Sequence, residues 1–82
     1  MPSRTTKPRR RSPLAVRLGA SMREARISKA ISQERLAELA ALSKNYVGDI
    51  ERGEYDVTVS ALHRVAVALG CQASDLLKGA AL

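Results

Sequence analysis

Three short helices joined by brief connections are predicted within residues 32–70, and this pattern limits the fold more than any other feature. Residues that favour the N-cap position precede each of the three apolar patterns, at Ser32, Ser43 and Thr58. Glycines that favour a helix end follow the second and third patterns, at Gly53 and Gly70. Because only a very short turn separates the first two helices, they are expected to pack as a pair.

One further helix is predicted on each side of these three. The first of these helices ends near Lys29. Its apolar stripe, at spacings of three and four, consists of Leu14, Leu18, Met22 and Ala25. Ser74 opens a last short helix through Leu77. The fourth helix is predicted to bury Val59, Leu62, Val65, Ala66 and Leu69. No stretch alternates with period two for long, so the predicted fold class is all-α, a compact five-helix domain over residues 14–79 with a short tail, 80–82.

The composition excludes several classes of protein. The 82 residues suffice for one domain. Cys71 is the only cysteine, so no internal disulfide can form, and His63 is the only histidine, too few for a metal site with one thiol. No apolar run approaches the roughly 18–20 residues of a membrane span. The histidine has no plausible orienting partner, so no catalytic site is expected. No cofactor or small-molecule ligand is expected either, since the chain has no room for a separate ligand domain.

Most of the net positive charge lies in the first 13 residues. Five of the six net charges belong to this segment, which contains no acid and carries Arg4, Lys7, Arg9, Arg10 and Arg11. Three prolines and the absence of apolar periodicity predict a disordered arm over residues 1–13. Two interpretations remain open: a solubilising tail, or an arm that binds DNA phosphates or enters a groove.

The third helix is predicted to have one apolar face and one polar face. Val47 and Ile50 face the core together with Leu42. The opposite face consists of polar residues and one glycine: Lys44, Asn45, Gly48, Asp49 and Arg52. Two helices joined by a short turn, with such a face on the second, indicate a helix-turn-helix unit whose second helix enters the DNA major groove. Taken in isolation, the same face is also typical of an ordinary solvated helix.

The segment "ISQERLAELAALSKNYVGDIERGEYDVTVSALHRVAVALG" resembles the phage-repressor-like (Xre/Cro-type) helix-turn-helix family. The matching positions are spread over three helices and the turn between the first two of them: Ser32-Gln33, Leu36-Ala37, Leu42-Ser43, Tyr46-Val47, Ile50-Glu51-Arg52-Gly53 and Leu62…Ala66…Leu69-Gly70. The resemblance covers roughly residues 18–77 and implies a five-helix, lambda-repressor-like fold. It also implies DNA binding, commonly as a two-fold dimer on a palindrome-like operator. The stretch "SKNYVGDIERG" is similar in style to restriction–modification controller proteins.

The resemblance also implies roles for individual residues. Base contacts are expected from Lys44, Asn45 and Asp49, since asparagine can pair with adenine and lysine can donate to guanine. For Lys44 the alternative is a phosphate contact, which positions the protein without specifying sequence. Contacts with the DNA backbone are expected from Gln33, Ser43, Tyr46 and Arg52. The position of Glu51 tends to be structural in the family.

Gly48 and Asp49 are unusual in the middle of a helix that is expected to meet DNA. The missing side chain of Gly48 would let the helix backbone approach DNA closely, although it weakens the helix by roughly 1 kcal/mol relative to alanine. Asp49 either accepts from a cytosine amino group or holds Arg52 or Asn45 in position from one turn away, and the orienting role is favoured.

Apolar residues near the C-terminus allow two interpretations: they close the core, or they form a dimer seam, which is the preferred one. These are Val67, Leu76, Leu77 and Leu82, and a chain this small gains from burying them against a second copy. The predicted function is therefore a sequence-specific transcription regulator, a cytoplasmic, nucleoid-associated homodimer on double-stranded DNA. The alternative is an antitoxin-type interaction module that neutralises a partner protein and regulates its own operon. The chain has no extra segment apart from the arm that could wrap such a partner.

Overall fold

The chain folds into five α-helices, seen in a computed structural model that describes residues 12–82. They are α1 (Pro13–Ser28), α2 (Gln33–Ala40), α3 (Lys44–Glu51), α4 (Val59–Leu69) and α5 (Ala73–Gly79). No strand occurs within these described residues. The predicted all-α, five-helix fold is confirmed. The predicted arm residues Arg4, Lys7, Arg9, Arg10 and Arg11 lie outside the described residues.

The predicted caps start the helices. The side chains of Ser32, Ser43 and Thr58 each accept a hydrogen bond from the backbone N–H three residues later. These bonds satisfy one of the four N–H groups that a helix N-terminus leaves without partners. Helix α1 begins one residue earlier than predicted because Ser12 caps it and proline suits a first helical position. Helix α5 begins at Ala73 rather than at Ser74, since Gln72 and Asp75 form a reciprocal capping box.

The turn between α2 and α3 depends on a left-handed residue that is not glycine. Ala41 has φ of 57°, and the next N–H, that of Leu42, donates to the carbonyl of Ala37 at 2.9 Å. This bond closes the end of α2, while Leu42 packs against the core and Ser43 begins α3. Three residues thus suffice to reverse the chain and hold α2 against α3.

The core lies between the five helices and is almost entirely aliphatic. Its largest fully buried side chains are Met22, Leu36, Val47, Ile50, Val65 and Leu69. Three predictions about burial are wrong. Val59 is 84% exposed because it occupies the first turn of α4 before that helix reaches the core, and Leu14 is 54% exposed because Ala15 takes the inward position of α1. Leu76, predicted in the dimer seam, is 2% exposed because it belongs to the core of the protomer.

Two glycines allow α1 to lie directly on α3 and on the turn after it. A Cβ added to Gly19 would stand 2.2 Å from the carbonyl oxygen of Ile50, so the two backbones touch at this point. Gly53 has φ of 76° and would meet Val16 at 2.8 Å if it carried a Cβ. Both contacts fix the position of α3 against α1. A larger residue at either glycine would overlap backbone atoms, and no rotation of a side chain could relieve that overlap.

Candidate nucleic-acid interface

The first turn of α3 presents polar side chains to solvent. Lys44 and Asn45 are exposed, whereas Val47 and Ile50 are completely or almost completely buried on the opposite face. Ser43 Oγ accepts from the Tyr46 N–H at 3.0 Å, and the Tyr46 ring packs partly against the core. The structure therefore brings Ser43, Lys44, Asn45 and Tyr46 together at one end of α3, backed by the core.

Gly48 does not leave a bare helix surface. Its Cβ position lies 3.1 Å from Arg52 Nη1 and 3.6 Å from Gln33 Oε1, and the residue is buried beneath these two side chains. In the unbound protein, the side chains of Gln33 and Arg52 therefore cover the helix backbone at Gly48, and a close approach of this backbone to DNA stays a prediction. The amide of Gln33 and the guanidinium of Arg52 border the space that a Gly48 side chain would occupy.

Asp49 is paired with Arg52 one turn later. The Arg52 Nη2 group donates to Asp49 Oδ1, and the Arg52 Nε group donates to Glu54 Oε2 at 3.4 Å. The Asp49 side chain is 20% exposed, so it is partly covered by this pair. Arg52 has five N–H donors, and donors remain on its guanidinium after these two bonds. The arrangement matches the orienting role that the sequence favours for Asp49.

A buried ion pair lies directly behind the polar face of α3. Glu51, whose side chain is 1% exposed, accepts from Arg26 Nε at 2.8 Å and from Arg26 Nη2 at 3.1 Å. Arg26 also donates to the backbone carbonyl of Ile31 at 2.9 Å, which ties α1 to the start of α2. Gln33 completes the group, since its Nε2 donates to Glu51 Oε1 at 3.0 Å.

Sequence reasoning missed Arg26. The available signal was Glu51 itself, which stands one turn after Val47 and next to Ile50 and so falls on the buried side of α3. A charged side chain on a buried face requires a partner of opposite charge. Nothing in the sequence distinguishes Arg26 from the other basic residues of α1 as that partner.

The predicted seam residues do not share one environment. Val67 is 63% exposed on α4 and Leu82 is 47% exposed, whereas Leu77 is partly buried against the core. The N–H of Leu82 donates to the carbonyl of Leu77 at 2.9 Å, so the chain end closes the last turn of α5. With Leu76 inside the protomer, the exposed candidates are Val67 and Leu82.

A cleft of about 410 Å³ lies on the side formed by α1 and α5 and includes Cys71. Burial raises the pKa of the Cys71 thiol, Asp75 adds to the rise, and Lys29 opposes it. A raised pKa keeps the thiol protonated and unreactive at neutral pH.

Within residues 12–82, no group of His, Cys, Asp and Glu side chains could hold a metal ion, and no helix is long and apolar enough to cross a membrane.

Comparison with known proteins identifies the family of this chain. The sequence profile described as Helix-turn-helix matches residues 22–76, which include α2, the turn, α3 and α4. The chain belongs to the helix-turn-helix family. It is a DNA-binding transcription regulator of the Xre type, as the sequence resemblance implies.

Three members of the helix-turn-helix family illustrate the similarity. Control protein C.BamHI of Bacillus amyloliquefaciens is 42% identical over 60 residues, which are 72% of this chain and 74% of that protein. The crystal structure of the restriction–modification controller protein C.AhdI from Aeromonas hydrophila has 39% identity and a TM-score of 0.74, covering 76% of this chain and 94% of that one. The clp gene regulator ClgR from Corynebacterium glutamicum has 35% identity and a TM-score of 0.82, with 88% and 77% covered.

Proposed function

We propose that this protein is a controller-type transcription regulator that binds a palindrome-like operator as a homodimer, with α3 in the major groove. The observation that carries the proposal is the exposed polar turn at the start of α3, where Lys44 and Asn45 stand on a helix anchored to the core by Val47 and Ile50. In helix-turn-helix proteins the N-terminal residues of the second helix contact base edges. Similarity to two proteins named as controllers supports the regulatory role.

In this proposal, Lys44 and Asn45 contact bases, while Gln33, Ser43 and Tyr46 contact the DNA backbone. Asp49 holds Arg52, which keeps N–H donors for a phosphate because Asp49 and Glu54 occupy only part of its guanidinium. The base contact first assigned to Asp49 is less favoured, since its carboxylate is already paired. The protein acts in the cytoplasm on nucleoid DNA and uses no cofactor.

The basic arm is proposed to add contacts with phosphates. Ser12, where the described chain begins, donates through its Oγ to Asp56 at 3.3 Å. Asp56 belongs to the loop after α3, so the arm starts beside the C-terminal end of the helix that is proposed to enter the groove. Arg4, Lys7, Arg9, Arg10 and Arg11 would then neutralise phosphates beyond the half-site, and affinity would fall with added salt.

Replacing Asn45 by alanine tests the proposed reading of DNA. A bidentate contact with a base contributes about 1–3 kcal/mol of discrimination, so Asn45→Ala should weaken binding to the selected operator about tenfold and relax preference at one base pair of each half-site. Selection from random DNA supplies the operator, and gel-shift titration against single-base variants measures the preference. Ser74→Ala, an exposed change on α5, is the control and should bind normally. Unchanged affinity and preference for Asn45→Ala would remove α3 from base reading.

Replacing Val67 by lysine tests the dimer. Val67 is 63% exposed, and a charge buried in an apolar seam without a partner opposes association. Val67→Lys should therefore sediment as a monomer at concentrations where the unmodified protein is a dimer. Leu39→Lys is the matched control, because Leu39 is 48% exposed on α2 and should leave the dimer intact. A dimer that persists in Val67→Lys would place the seam elsewhere.

A further inference from the structure

We propose that Glu51 and Arg26 are positioning residues that set the orientation of the Gln33 amide for its contact with DNA. The inference rests on the proposed role of Gln33 and deepens it. Gln33 is the first residue of α2, and its side chain lies over Gly48 of α3. Among the proposed DNA contacts within residues 12–82, it is the one whose side chain is hydrogen-bonded to the buried ion pair.

The chemistry of Glu51 determines which way the Gln33 amide faces. An ionised carboxylate only accepts hydrogen bonds, whereas a glutamine amide carries both donors and an acceptor. The amide nitrogen must therefore face Glu51, and the 3.0 Å distance from Nε2 to Glu51 Oε1 agrees with this. Gln33 Oε1 is turned toward α3, where it lies 3.6 Å from the Cβ position of Gly48.

This orientation defines what Gln33 can offer to DNA. The amide nitrogen has two N–H groups, and Glu51 occupies one of them, so a single N–H remains for an acceptor on DNA. A glutamine free to rotate would sample several rotamers and lose conformational entropy on binding. Holding the amide beforehand removes part of that cost, as for other preorganised binding groups.

Arg26 neutralises the charge of Glu51, the residue that holds the Gln33 amide, so that this charge does not oppose DNA binding. It donates to both oxygens of Glu51 and also to the carbonyl of Ile31, so the carboxylate has a fixed plane and a neutralising charge. Without Arg26, an unpaired anion would lie directly behind a side chain that is proposed to approach phosphates. Arg26 therefore acts on DNA binding through Glu51, although its own side chain is only 12% exposed.

A double-mutant cycle on operator affinity tests the inference, using Gln33→Ala, Glu51→Gln and the combined variant. Glu51→Gln keeps the shape of the side chain but can present either a donor or an acceptor, so the Gln33 amide loses its fixed orientation. We expect Glu51→Gln to weaken binding about tenfold in the unmodified background and to have no further effect when Gln33 is alanine. In the free protein, the NMR signals of the Gln33 side-chain amide should shift in Glu51→Gln.

Two further variants separate positioning from folding. Ser21→Ala removes a buried hydrogen bond of 2.7 Å to the carbonyl of Leu76, on the side of α1 that faces α5, and should leave operator affinity unchanged. The paired change Arg26→Met with Glu51→Met replaces the ion pair by apolar side chains, which is often neutral or stabilising. The protein with both methionines should fold, but it should bind the operator about tenfold more weakly than the unmodified protein, because the Gln33 amide has lost its hydrogen bond to Glu51.

The outcomes are distinct. The inference is overturned if Glu51→Gln weakens binding equally with and without Gln33, because the loss then arises from the fold. It is also overturned if the variant that carries both methionines binds as tightly as the unmodified protein, or if Gln33→Ala alone has no effect. Failure of the proposed function is a separate result, since Asn45→Ala reports base reading by α3 and does not touch the hydrogen bond between Gln33 and Glu51.

Discussion

Gly19→Ala should destabilise the domain by at least about 3 kcal/mol and lower its melting temperature by about 12 °C or more. The added Cβ would lie 2.2 Å from the carbonyl oxygen of Ile50 and 2.8 Å from that of Glu51. Both neighbours are backbone atoms, so no side-chain rotation relieves the overlap, and α1 has to move away from α3. The helix propensity gained with alanine, about 1 kcal/mol, offsets only part of this cost. Thermal and urea unfolding measure the effect.

Gly48→Ala is the matched control, because it makes the same chemical change in a helix that packs differently. Here the Cβ would lie 3.1 Å from the end of the Arg52 side chain, which is half exposed and can shift by a few tenths of an ångström. The gain in helix propensity should dominate, and the melting temperature should rise by a few degrees. Equal melting of both variants would show that the contact between α1 and α3 is looser than described.

Arg26→Met should lower the free energy of unfolding by about 3–5 kcal/mol, because it leaves Glu51 buried without its counter-charge. The Gln33 amide would still donate to Glu51 Oε1, but it carries no charge to balance the carboxylate. A domain of this size has about 5–15 kcal/mol of stability, so a considerable fraction of the variant could be unfolded at 37 °C. Denaturant titration followed by circular dichroism gives the difference directly.

Arg35→Met is the control for Arg26→Met. Arg35 also forms an ion pair, with Glu38 at 2.8 Å, but the two side chains are 57% and 68% exposed. Solvent screens such a pair, so its loss should change stability by less than about 1 kcal/mol. If Arg26→Met and Arg35→Met unfold at the same denaturant concentration, burial adds nothing to the role of Arg26.

The boundaries of the helices could be predicted because their signals are local. A serine or threonine N-cap bonds to the N–H three residues later, and a glycine at a helix end adopts a left-handed conformation without strain. These interactions need no knowledge of distant residues, which is why α2, α3 and α4 start where predicted. The same locality explains the errors. The 3.6-residue period shows which residues share a face, but it does not show where along a helix the core ends, as Val59 and Leu14 demonstrate.

The proposed DNA-contacting residues follow from similarly local signals. The polar face of α3 follows from its period, and the family resemblance supplies roles for Lys44, Asn45 and Gln33. The hydrogen bonds and packing contacts that fix these side chains could not be inferred, because their partners lie on other helices. The partner of Glu51 is 25 residues away in the sequence, and the cover over Gly48 comes from both α2 and the end of α3.

The sequence by itself determined the helices, their order and the polar face of α3, since periodicity and capping act over three or four residues. Tertiary structure decided what lies behind that face. It placed Gly19 against the backbone of α3, paired Arg26 with Glu51, turned the Gln33 amide, and buried Leu76 inside the protomer. Each of these depends on a distance between helices, and the packing of side chains over the whole chain sets such distances.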